Sequence, residues 1–98
     1  MSYAELLAAD RRLVILRILA DSTGFCCNEH LLISLLETQG HVVSHDALRT
    51  ELAWLDEQLL VSTQEVGGLN IATLTQRGAD VSSGRSRAPG VKRPAPGG

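Results

Sequence analysis

The stretch Ser44–Gly78, SHDALRTELAWLDEQLLVSTQEVGGLNIATLTQRG, decides the fold. Ser44 suits a helix start, where a hydroxyl accepts one of the N–H groups that the first turn leaves without a partner. Leu48, Leu52, Leu55 and Leu59 follow at steps of four, three and four, which sets them on one helical face. This predicts a third helix packed on a core, with Asp46, Arg49, Thr50, Ala53 and Glu57 facing outward. Leu60 to Val66 and Leu69 to Leu74 are rich in β-branched residues. They flank Gly67-Gly68, where glycine tolerates the positive φ of a tight hairpin turn. Thr75 then caps one last turn, Gln76 to Val81.

Upstream, Ser2-Tyr3-Ala4-Glu5 fits a capping box for a first helix running to about Ala20. From Leu13 onward its apolar residues cover more than one stripe, and such a helix is buried on more than one side. A partner subunit is one way to cover the second side, through Leu7, Val14, Ile15 and Ile18. Phe25-Cys26-Cys27 follows a glycine and reads as extended. Asn28 caps a second helix, about Glu29 to Thr38, and Gly40 suits its end. From Ser82 the chain is Ser, Gly, Pro and Arg with almost nothing to bury, which predicts disorder. The expected division is a domain at 1–81 and a basic Pro/Gly-rich tail at 82–98.

Ninety-eight residues make one domain at most, with a small core. Aromatics are 3% of the chain, so that core must be aliphatic. No apolar run is long enough to span a bilayer, and Glu5 and Asp10 stand where a signal peptide carries positive charge. The expectation is a cytoplasmic protein that contacts no membrane. Charge is asymmetric. Up to Asp80 there are eleven acidic against five basic side chains, whereas Arg85, Arg87, Lys92 and Arg93 follow with no acid. Such asymmetry marks an interaction tail.

The order of two apolar helices, a capped third helix, a hairpin and a capped turn is that of a winged helix-turn-helix: mainly α, three helices plus a two-stranded wing. Leu52-Ala53-Trp54-Leu55-Asp56-Glu57-Gln58-Leu59-Leu60-Val61 resembles the third helix and wing entry of winged-helix regulators. Leu74-Thr75-Gln76-Arg77-Gly78 resembles the step that follows their wing. The resemblance covers residues 3 to 81 and extends to the small ArsR-like winged-helix proteins of Mu-like phages and prophages, including their basic tail. Leu59 departs from it, since a glycine commonly ends the third helix. The resemblance implies a DNA-binding transcription regulator of phage type. A partner-binding adaptor in phage development that avoids DNA is the alternative.

On the DNA reading, Ser44, His45, Arg49 and Thr50 meet the groove, because an arginine fork can grip a guanine edge and a helix N-terminus can hold phosphate. Arg77, Arg85, Arg87, Lys92 and Arg93 lie along the backbone, which positions without reading sequence. Against it, Arg49 is the helix's one fixed cation beside Asp46, Glu51, Asp56 and Glu57, so a plain solvated face stays open. Trp54 either packs at the border of the third helix or anchors a partner. Cys26, Cys27 and His30 lack zinc-site spacing, so no metal or other cofactor is expected. Ser44, His45 and Asp46 are sequence neighbours, which does not give triad geometry, and no enzyme is expected. No effector pocket is visible, so the expected mechanism is site occupancy.

Overall fold

The computed structural model describes residues 1–96; the last two positions of the expected tail lie outside the described residues. Helices α1 (Tyr3–Asp21), α2 (Glu29–Thr38), α3 (His45–Glu57) and α4 (Gln76–Ser82) and strands β1 (Cys26–Asn28), β2 (Val61–Val66) and β3 (Leu69–Leu74) follow one another in the order α1-β1-α2-α3-β2-β3-α4. The four α-helices begin at the hydroxyl or amide caps legible in the sequence. Ser2, Asn28, Ser44 and Thr75 accept from the N–H of Glu5, Leu31, Ala47 and Gly78 at 2.9–3.1 Å, each cap stabilising by about 1 kcal/mol.

The sheet and the last turn depart from expectation. The sheet has three antiparallel strands in the order β1-β3-β2, because Cys26–Asn28 pairs with Ile71–Thr73 along the free edge of the hairpin. The last turn is a fourth helix, two turns long. In β1 the side chains alternate as a strand requires: Cys26 is exposed, and Cys27 is in the core, where burial pushes its thiol up.

The core is aliphatic, with Ile15, Leu16, Leu19, Leu32, Leu36, Leu48, Leu55 and Leu60 fully buried. The α3 stripe holds at Leu48, Leu52 and Leu55 and fails at Leu59, which is 68% exposed. Helix α3 ends sooner, at Glu57 with Gln58 as its cap, in a Schellman turn. Leu60 N–H donates to Leu55 and Leu59 N–H to Asp56, with Leu59 at φ 62°. Leucine thus occupies the left-handed position that suits glycine, and Leu60 takes the core place. Helix α2 closes with the same pair of bonds through Gly40, at φ 88°.

Gly78 explains the Leu-Thr-x-x-Gly step. A Cβ there would collide with the Leu60 carbonyl oxygen and stand 2.7 Å from Leu74 Cδ1. Thr75 completes the junction, its hydroxyl donating to the Leu59 carbonyl at 2.7 Å.

The expected disordered tail is instead a strap across α1. Lys92 N–H donates to the Ala9 carbonyl at 3.1 Å, Arg12 Nη1 donates to the Gly90 carbonyl at 3.0 Å, and Ala88 is buried. Gly90 lies so close to the Trp54 ring that a Cβ would come within 2.8 Å of it. Few apolar groups are needed, because α1 and Trp54 supply the surface. The strap and the core together cover the second side of α1. Ile15 is therefore interior and cannot belong to a subunit interface, while Leu7, Val14 and Ile18 keep partial exposure.

Candidate nucleic-acid interface

Helix α3 presents Ser44, His45, Asp46, Arg49, Thr50, Ala53 and Glu57 to solvent. The hydroxyl of Ser44 is spent on the cap, and that of Thr50 donates to the Asp46 carbonyl at 3.0 Å.

Arg49 is placed otherwise than the sequence suggested. Its Nε and Nη2 grip both carboxylate oxygens of Glu29 at 2.9 and 3.0 Å, and Nη2 also approaches the Gly68 carbonyl at 3.4 Å. Asn70 N–H donates to the same carboxylate at 2.9 Å, and His45 Nδ1 stands 3.3 Å from it. Glu29 is fully buried. The Arg49 fork and the Asn70 N–H outweigh the cost of that burial and hold its carboxyl at about 2, while Glu29 in turn raises Arg49. The arginine expected to grip a base thus grips a buried acid. One carboxylate joins α2, α3 and the hairpin, so the helix and the hairpin form one piece.

Glu29 escaped sequence reading, although its signal was present. Glu29, Leu32 and Leu36 fall at i, i+3 and i+7, so the acid lies on the buried stripe of α2. Glu51 repeats the pattern one step beyond Leu48 on α3. It is 5% exposed and pairs with Arg12 Nε at 3.0 Å and Arg11 Nη1 at 3.4 Å. The Arg12 guanidinium also lies 4.0 Å from the centroid of the Trp54 ring, so Trp54 packs at the border of α3, beneath α1 and the strap.

Lys92, expected on a DNA backbone, pairs with Asp10 at 3.2 Å. Asp10 also meets buried His41, whose Nε2 lies 2.7 Å away. Burial pushes the Asp10 carboxyl up, but His41 and Lys92 together carry it below its ordinary value. The other backbone candidates, Arg77, Arg85, Arg87 and Arg93, are exposed and pair with no carboxylate among the described residues. Arg77 Nε donates to the Gln58 carbonyl at the far end of α3. His30 and His45 stack edge-on with centroids 4.9 Å apart. No group of three His, Cys, Asp or Glu among the described residues is placed to hold a metal ion.

No family model matches the chain. It is 48% identical over 92 residues to the uncharacterised protein gp26 of Escherichia phage Mu, a match spanning 94% of this chain and 95% of that protein. An uncharacterised protein of Haemophilus influenzae is 39% identical over 95 residues, spanning 91% and 92%. Two solved structures share the fold. The complex structure of hsRosR-S1 has a TM-score of 0.60 at 27% identity, covering 70% of this chain and 61% of that one. The complex structure of hsRosR-S4 has a TM-score of 0.63 at 26% identity, covering 82% and 71%.

Proposed function

We propose that this chain, which belongs to the family of phage Mu gp26, is a winged-helix regulator of phage type that occupies a site on DNA and catalyses no reaction. The observation that carries the reading is the Glu29 clamp. It locks α3 and the β2–β3 hairpin side by side with the α3 N-terminus exposed, which is the pose in which such a helix enters a major groove. The likeness to the hsRosR complexes supports the fold on which this reading rests.

In this reading His45 and Thr50 approach the bases, Ser44 caps the helix N-terminus that faces the phosphates, and Arg49 positions the helix instead of reading sequence. Arg77, Arg85, Arg87 and Arg93 supply phosphate contacts, and Lys92 is already engaged. A homodimer through α1 forms at Leu7, Val14 and Ile18. The reading places the protein in the cytoplasm of a bacterial host; no helix among the described residues is long and apolar enough to cross a membrane.

The second reading, a partner-binding adaptor, is favoured by charge. Four basic side chains, Arg11, Arg12, Arg49 and Lys92, are held by carboxylates. The outward face of α3 keeps Asp46 and Glu57, and the hairpin keeps Glu65. Affinity for DNA rests on phosphate neutralisation, which this face does not supply.

Binding to mixed genomic fragments against salt separates the two. A DNA reader binds with log K falling by about 0.9 per log salt for each phosphate neutralised, and R77A/R85A makes the slope shallower by about two such steps. H45A/T50A weakens binding with the slope unchanged. Absence of binding by the full chain at low salt sinks the DNA reading in favour of the adaptor.

A further inference from the structure

The strap does not lie flat along α1. Between it and the N-terminal half of α1 runs a groove of about 690 Å³, within the roughly 300–1,000 Å³ range of small-molecule sites. Ala9, Val81, Ala88 and Val91 form an apolar floor, and Leu6, 53% exposed, stands at the rim. The polar groups around it are unequal. Asp10 and Lys92 neutralise each other at 3.2 Å. Arg87 and Arg93 also line the groove, and neither pairs with a carboxylate among the described residues. The lining is thus apolar below and doubly positive at the edge.

We propose that this groove binds a small amphipathic anion, a molecule with one aliphatic tail and one carboxylate head. The tail lies on Ala9, Val81, Ala88 and Val91 and covers the exposed side of Leu6, while the head meets the guanidinium forks of Arg87 and Arg93. Arginine suits this task, because its planar fork matches a carboxylate two bonds at a time. Charge complementarity decides the sign of the ligand: a cationic head meets two arginines and no free acid. Ligand binding at this groove does not require DNA. Arg87 and Arg93 also carry phosphate contacts in the function proposed above, but ligand binding is measured without DNA, so the two ideas fail separately.

The test is calorimetric titration of the full chain with dodecanoate below its micelle concentration, against dodecyltrimethylammonium as the matched cation. Saturable one-to-one binding of dodecanoate is expected, about tenfold tighter than the cation. R87E/R93E reverses two exposed, unpaired charges and leaves the core untouched; it should weaken dodecanoate at least about tenfold. R85E, on an arginine outside the groove, should leave affinity within about twofold. Gly90 rests on the sole tryptophan, so occupancy should also shift Trp54 emission in the wild type. No binding, equal binding of the cation, or unchanged affinity in R87E/R93E overturns the proposal. Binding to phosphatidylglycerol vesicles with none to monomeric dodecanoate overturns it too, and makes the patch a membrane contact.

Discussion

Replacing Glu29 by glutamine tests whether one buried carboxylate couples α2, α3 and the hairpin. The amide keeps an acceptor for Asn70 N–H but loses the charge, and it turns an N–H toward the Arg49 fork, which has none to accept it. The Glu29 carboxyl sits at about 2 in the folded chain against an ordinary 4.5. A depressed acid contributes stability that is present above 4.5 and is lost as pH falls through about 2. At full strength the difference is worth about 3 kcal/mol. Arg49 stands half in water, and screening trims this to about 2 kcal/mol. E29Q should therefore unfold with about 2 kcal/mol less stability at pH 7, a fall in Tm of roughly 10 °C for a chain of this size. The assay is urea unfolding of wild type and E29Q between pH 7 and pH 2. The gap should hold constant down to about pH 4.5 and then shrink, nearly vanishing near pH 2. A gap that stays the same over the whole range would refute the reasoning, because the loss would then come from shape and not from charge.

G78A places a Cβ against the Leu60 carbonyl. Helix α4 must retreat from the Thr75 bonds to Leu59 and Leu60, at a cost of about 3 kcal/mol after the small gain in helix propensity; a chemical-denaturation loss under about 1 kcal/mol contradicts the close approach. L59G should be more stable than L59A by about 1 kcal/mol, because only glycine relieves the left-handed φ while both remove the same exposed side chain. The opposite order in thermal melts means that the α3 exit is not strained. G90A forces a methyl group into the Trp54 ring, so the strap should lift and Trp54 emission should change in the native state; an unchanged spectrum speaks against the strap's seat.

The local grammar was legible in the sequence. Caps at Ser2, Asn28, Ser44 and Thr75, the leucine stripe of α3 and the turn at Gly67-Gly68 each depend on neighbours within about one turn of chain, where residue type alone decides the bond. What escaped was long-range. The fate of Arg49 depends on an acid twenty positions earlier, and the pairing of β1 on a strand more than forty positions later. Leu59 continued the stripe by spacing, yet the helix ended first. The strap looked too polar to fold, because its own composition cannot reveal that Trp54, Arg12 and Asp10 wait on another surface to receive it.

The sequence by itself therefore determined where the helices start, the hairpin and the aliphatic core, since periodicity and capping are properties of contiguous residues. Only the tertiary structure decided which charges remain free. An ion pair is a meeting of two side chains brought together by packing, and packing spent Arg11, Arg12, Arg49 and Lys92 on Glu51, Glu29 and Asp10. The cations left to meet another molecule are those that no carboxylate of the fold can reach.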